Sequence, residues 1–68
     1  MDEIEYRVLW KTDISDEWYV YYPWSSSYED VYYKFKRALD NPICKAAKIV
    51  ERAITYRVVD LTETNNGR

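Results

Sequence analysis

Carboxylates are the main group of side chains in this sequence that are able to do chemistry. Asp13, Asp16 and Glu17 lie close together, and Glu29 and Asp30 form a second pair. Paired carboxylates act in acid–base catalysis or bind metals when a fold brings them together. The first group falls in a predicted turn and the second at a predicted helix start, and neither has the spacing or the glycine of an EF-hand loop. We therefore expect no metal site and no cofactor.

Nucleophilic catalysis and phosphate binding lack their usual residues. Histidine is absent, so no serine, threonine or cysteine has a histidine base. The single glycine, Gly67, lies near the C-terminus rather than in a phosphate-binding loop. Cys44 is the only thiol, which excludes an intramolecular disulfide and, without histidine, an ordinary zinc site. We expect a protein that is not an enzyme, with Cys44 as a packing residue.

Composition indicates one small globular domain. The 68 residues are 47% hydrophobic, 32% charged and 18% aromatic. Charged residues interrupt every apolar stretch, so we expect neither a membrane span nor a secretion signal. The lone thiol suits a reducing compartment, and the expected location is cytoplasmic. We expect the domain to cover residues 1–61 and residues 62–68, which include no apolar residue, to be a disordered tail.

Two strands are predicted in the first third of the chain. Residues 4–11 alternate, which puts Ile4, Tyr6, Val8 and Trp10 on one face. After a polar turn, residues 18–22 form a second strand that Pro23 is expected to end. Its alternation predicts that Trp18, Val20 and Tyr22 face the core. Tyr19 and Tyr21 are then expected on the opposite face of the sheet.

One helix and a third strand complete the predicted fold. Ser26 or Ser27 caps a helix over residues 28–39, whose apolar stripe comprises Tyr28, Val31, Tyr32, Phe35, Ala38 and Leu39. Residues 42–54 have both helical spacing and many β-branched residues, and we favour a long strand over 48–59. The result is an α+β fold of order β-β-α-β, in which one helix packs on one face of a three-stranded antiparallel sheet and leaves the other face open.

The open sheet face is the candidate binding surface. Tyr19, Tyr21 and Trp24 are the expected anchors, with Arg7 beside them. Exposed tyrosine and tryptophan next to arginine are enriched at protein–protein hot spots, because rigid rings bury area at a small entropic cost. We therefore predict that a protein partner binds here.

Charge is unevenly distributed along the chain. Residues 1–30 hold eight acidic and two basic side chains, whereas residues 31–68 hold eight basic and four acidic ones. The simpler interpretation is that these charges neutralise each other across the folded surface. The more specific one is that Asp13, Asp16 and Glu17 on the hairpin steer the approach of a partner.

Two other functions remain open. Aromatic rings on an open sheet beside Arg7, Lys11 and Arg57 suit the stacking of single-stranded nucleic acid. This partner is less favoured, because the chain is acidic overall and lacks the glycine-containing aromatic motif of the RNA-recognition fold. A homodimer, formed through a sheet edge or through the Tyr19/Tyr21 face, is the third hypothesis.

The chain resembles small β-β-α-β accessory proteins encoded by phages and prophages. The segments that carry this resemblance are residues 6–10, the helix over 28–39, and residues 47–52 running into 56–59. The resemblance covers residues 4–60. It implies a non-enzymatic role in which the protein binds and blocks a host factor, such as a nuclease of a defence system. It also implies that the acidic first half imitates nucleic-acid phosphates towards a basic groove, with the aromatic residues as buried anchors.

Overall fold

The computed structural model describes residues 2–55 together with Arg57 and Val59. They form three strands and one helix: β1 (Asp2–Thr12), β2 (Tyr19–Ser25), α1 (Tyr28–Leu39) and β3 (Cys44–Thr55). The strands make one antiparallel sheet in the order β2-β1-β3. The predicted α+β fold is confirmed. The predicted domain end at residue 61 and the tail over 62–68 lie outside the described residues.

The pairing of β1 with β3 sets the two faces of the sheet. Val8 lies opposite Ile49, and Trp10 lies opposite Ala47. Directly paired residues of antiparallel strands project to the same side, and all four belong to the apolar cluster that α1 covers. Val8 is fully buried there. We call this side of the sheet the helix side and the other side the open face.

A strand follows the helix, so the favoured interpretation of residues 42–54 is confirmed and a second helix there is wrong. β3 begins at Cys44, before the predicted residue 48, because it pairs along the whole length of β1. Arg57 and Val59, the described residues beyond it, lie outside the strand. Val50 pairs with Arg7 and therefore lies on the open face.

Helix α1 begins at a serine cap, as the sequence predicts. The Ser27 hydroxyl accepts a hydrogen bond from the backbone N–H of Asp30 at 3.3 Å, which makes Ser27 rather than Ser26 the cap. The predicted apolar stripe is only partly buried. The three-stranded sheet covers its centre, where Val31, Phe35 and Ala38 pack, and leaves its margins about half exposed, at Tyr28, Tyr32 and Leu39.

Strand β2 carries two irregularities that change which side chains face the helix. Leu9 pairs with Val20 and Val8 pairs with Tyr22, so Tyr21 is an extra residue in β2. A β-bulge of this kind shifts the alternation of the strand by one residue. The next pair of β1 and β2, Tyr6 with Ser25, includes a second shift. The alternation of β2 therefore changes phase twice.

These shifts correct several predictions for β2. Tyr21 packs against the apolar cluster on the helix side, so its expected place on the open face is wrong. Val20 is 51% exposed opposite Leu9, so its expected core position is also wrong. Of the three expected core residues of β2, only Tyr22 packs against the cluster. Pro23 does not end the strand, because β2 is an edge strand and its outward side requires no backbone donor.

Replacing the cap tests the start of the helix. Ser27→Ala removes the acceptor for the Asp30 N–H, so we expect the free energy of unfolding to fall by about 1 kcal/mol. Urea denaturation followed by circular dichroism measures this change. Ser26→Ala is the matched control and should leave stability within about 0.5 kcal/mol of the unsubstituted protein. Equal losses for the two variants would contradict the assignment of the cap.

Replacing Tyr21 tests the bulge. Tyr21→Ala removes a ring that packs edge-on against Trp10, with 4.8 Å between ring centroids, and we expect the unfolding free energy to fall by about 2 kcal/mol. Tyr33→Ala, at a helix residue that is 56% exposed, should change it by about 0.5 kcal/mol or less. An unchanged stability in Tyr21→Ala would return Tyr21 to the open face.

Candidate binding surface

The open face presents apolar and basic side chains from all three strands. Register places alternate residues of β1 and β3 on it, and the two phase changes of β2 place two tryptophans beside them. Its central members are Arg7, Leu9 and Lys11 of β1, Trp18, Val20 and Trp24 in and next to β2, and Lys48, Val50 and Arg52 of β3. These nine residues form the centre of the open face.

Trp24 is covered by two arginines. The guanidinium carbon of Arg7 lies 4.6 Å from the centre of the indole ring and that of Arg52 lies 4.2 Å from it. Arg52 also donates from Nε and Nη2 to one carboxylate oxygen of Glu5, at 2.9 and 2.7 Å. Nε of Arg7 is buried without a hydrogen-bond partner among the described residues. Arg52 therefore has an ion-pair partner within the sheet, whereas Arg7 has none among the residues that the structure describes.

Trp18 has a corresponding arrangement with two lysines. The ammonium nitrogen of Lys48 lies 4.1 Å from the centre of its ring and that of Lys11 lies 4.9 Å from it. Trp18 is 37% exposed. Cation–π contacts at such exposed sites contribute about 0.5–1 kcal/mol each, enough to hold the side chains in place without removing the lysine charges from water.

The electrostatics of the open face favour a partner with negative charge. Four of its nine central residues are basic, and the ion pair of Arg52 with Glu5 balances one of them. An arginine stacked on a ring still presents its N–H edge, which matches the geometry of a carboxylate or phosphate. The tryptophans supply rigid apolar area between these charges. The arrangement can therefore bind a negatively charged group beside an apolar surface.

The acidic hairpin is separate from the two tryptophan clusters. Asp13, Asp16 and Glu17 are all exposed in the turn between β1 and β2. Asp16 accepts a hydrogen bond from the Nζ of Lys45 at 2.5 Å. That bond and the lysine charge hold the pKa of Asp16 below its usual value. Pairing with Lys45 reduces the negative field that the hairpin presents to a partner.

The structure divides the predicted anchors between two sides of the sheet. Arg7 and Trp24 lie together on the open face, as expected. Tyr21 lies on the helix side. Tyr19 pairs with Trp10 and so leaves the open face as well; its hydroxyl donates to Glu17 at 3.2 Å. The two predicted tyrosine anchors therefore do not belong to the open face.

Trp18, Lys48 and Arg52, which form the contacts around the two tryptophan rings, are not predicted as anchors from the sequence. The alternation of residues 18–22 predicts Trp18 in the core, and the bulge at Tyr21 places it on the open face instead. Lys48 and Arg52 were not placed because their register against β1 was unknown. One signal was present in the sequence: Lys48, Val50 and Arg52 follow one another at every second position, so a strand places all three on one face.

Comparison with known proteins gave no match to a protein-family model, to a curated protein or to a solved structure. Within the described part of the chain, no helix is long and apolar enough to cross a membrane. The same residues enclose no pocket and include no group of three potential metal ligands. The candidate site is therefore a surface.

The Asp16–Lys45 pair gives a prediction about pH. Because the folded state lowers the pKa of Asp16, the pair stabilises the fold above the unfolded-state value of 3.8, and this contribution is lost as the pH falls through the folded-state pKa. We expect Lys45→Met to raise the pKa of Asp16 towards 3.8, as measured by carboxyl NMR titration. Lys48→Met, on the same strand, is the control and should leave that pKa unchanged; a pKa that does not respond to Lys45→Met would show that the pair does not form.

Proposed function

We propose that the protein is a non-enzymatic binding module that attaches to another protein through its open face. The observation that carries the proposal is the cluster of Arg7 and Arg52 over Trp24, beside the lysines over Trp18. Tryptophan and arginine are the residue types most enriched among those that dominate protein–protein affinity. Here they form one surface that α1 does not cover.

The state of the two rings supports a protein partner over a nucleic acid. Base stacking requires an accessible ring face, whereas two cations already lie over each tryptophan ring. Cations held in this way are well placed to meet carboxylates at a protein surface. The chain as a whole has a net charge of −2, which opposes sequence-independent attachment to a polyanion.

The proposal extends to the class of partner through the resemblance to phage and prophage accessory proteins. In this form the protein is phage-encoded, acts in the cytoplasm of the host cell, and inhibits or modulates a host protein such as a defence nuclease. The resemblance implies an acidic surface that imitates nucleic-acid phosphates. The proposed contact surface has the opposite charge, because the open face is basic and Asp16 of the hairpin is paired with Lys45. A host protein with an acidic contact surface fits this arrangement.

Capture of the partner tests the proposed function. Tagged protein is incubated with nuclease-treated lysate of the host, and retained proteins are identified by mass spectrometry and purified for calorimetry. Trp18→Ala should weaken binding by about 2 kcal/mol or more, which is about 30-fold. Lys48→Glu should also weaken it, because the open face loses a positive charge and gains a negative one.

Lys36→Glu is the matched control for charge, since Lys36 is an exposed lysine on α1 and the substitution changes the net charge equally. It should leave affinity within about twofold. Circular dichroism of each variant checks that the fold is retained. A partner whose affinity falls equally with Lys48→Glu and Lys36→Glu, or that is indifferent to Trp18→Ala, would contradict binding through the open face.

Single-stranded nucleic acid is the second candidate function, favoured by the presence of two tryptophans among four basic side chains. A fluorescently labelled twelve-nucleotide oligothymidine tests it by anisotropy over a range of salt concentrations. The proposed function predicts no binding that persists at physiological ionic strength. Binding that falls steeply with salt and is lost in Lys48→Glu would instead identify a single-strand binder.

A further inference from the structure

The two edges of the sheet are protected unequally. β2 is seven residues long, contains Pro23 and has two irregularities in its pairing. Proline and bulges are devices that prevent an edge strand from pairing with another chain. β3 is twelve residues long, contains neither proline nor glycine, and has a single irregularity near its start, opposite Lys11 and Thr12. Beyond that irregularity, the outer edge of β3 has neither the proline nor the bulges that protect β2.

No strand among the described residues pairs with the outer edge of β3. In an antiparallel edge strand, alternate residues direct their backbone N–H and C=O groups away from the sheet. A long run of such groups is a template for the addition of a further strand. The backbone of β3 can therefore bind an extended segment along most of its length.

The side chains next to this edge select what such a segment carries. Lys48, Val50 and Arg52 follow one another along the open-face side of β3. The Arg52 charge is balanced by Glu5, whereas the Lys48 ammonium group lies over the ring of Trp18 and forms no ion pair with the described residues. Side chains directly opposite each other in paired strands interact. A segment with a carboxylate opposite Lys48 and an apolar side chain opposite Val50 is the complementary one.

We propose that the outer edge of β3 accepts an extended segment of the protein partner as a fourth strand, and that this segment places a carboxylate beside Lys48 and an apolar side chain beside Val50. This inference rests on the proposed function, because it specifies how the partner meets the open face. Backbone hydrogen bonds supply the general affinity, and the two side-chain positions supply the selectivity.

A second copy of this chain brings like charges together in two of the registers in which it could pair with β3. Two copies could pair their β3 edges antiparallel about a two-fold axis perpendicular to the sheet, with the open faces of both copies on the same side. Centring that axis at Val50 sets Lys48 of each copy opposite Arg52 of the other, and centring it at Lys48 sets the two lysines opposite each other. Like charges directly opposite each other destabilise a strand pair. The charge pattern of β3 therefore opposes self-pairing in these two registers, whereas a segment with a carboxylate opposite Lys48 meets no such repulsion.

Three synthetic ten-residue peptides test the proposal on the isotopically labelled full chain. The first alternates threonine and valine and has two glutamates on one side, the second has lysines in place of the glutamates, and the third is the first with a central proline. NMR measures binding and amide hydrogen exchange. We expect the glutamate peptide to slow exchange at alternate amides of Cys44–Thr55 and not at Tyr19–Ser25. It should bind at least about tenfold more tightly than the lysine peptide, and the proline peptide should give no protection.

Charge exchange provides the matched variants. Lys48→Glu should reverse the preference, so that the lysine peptide binds more tightly than the glutamate peptide. Lys36→Glu, on the helix, should leave the preference unchanged. Because both substitutions alter the net charge equally, a reversal confined to Lys48→Glu locates the selectivity at β3. An equal response of the two variants would overturn the proposal.

Further outcomes separate this inference from the proposed function. Slow exchange at alternate β3 amides in the free, dilute chain would show that residues 60–68 or a second copy already covers the edge, and would overturn strand addition. A captured partner that depends on Trp18 but leaves β3 exchange unchanged would also overturn strand addition, while the proposed function stands. Protection by the glutamate peptide without any protein captured through the open face would support strand addition and remove the proposed function.

Discussion

The extra residue in β2 at Tyr21 is the constraint on which the surface of this protein depends. In a strand of unbroken alternation, Trp18, Val20 and Tyr22 would share one face. The bulge lets Tyr21 and Tyr22 both pack against the apolar cluster under α1, and leaves Trp18 and Val20 on the other side. A small sheet thus obtains two adjacent rings for its core from a single edge strand, and exposes a tryptophan as a consequence.

The composition of the open face follows from that sorting and from the register of β1 with β3. Pairing places Arg7 beside Val50 and Leu9 beside Lys48, so positive charge from two strands gathers around the tryptophans. The acidic side chains of the hairpin lie elsewhere, and one of them is paired with Lys45. A chain that is acidic overall therefore carries a basic aromatic surface, which net charge alone does not indicate.

The strands and the helix could be predicted from the sequence, but which residues of β2 face the helix could not. Alternation over residues 4–11, a serine cap at Ser26 or Ser27 and the β-branched residues of β3 each have a local cause, so the order β-β-α-β was predictable. The run of five apolar residues at 18–22 contains no polar residue to mark a phase. Only the pairing with β1 fixes it, and pairing is a tertiary property. For this reason the sequence predicts Tyr19 and Tyr21 on the wrong face of the sheet. It predicts Arg7 and Trp24 as parts of the same surface, which agrees with the structure.

The indole N–H groups of the three tryptophans provide the most direct test that this surface binds the partner. A nitrogen–proton correlation spectrum of the labelled protein, recorded with and without purified partner, observes them separately. We predict that the Trp18 and Trp24 signals shift or broaden on binding while that of Trp10, on the helix side, stays in place. A spectrum in which Trp10 responds and the other two do not would contradict the account.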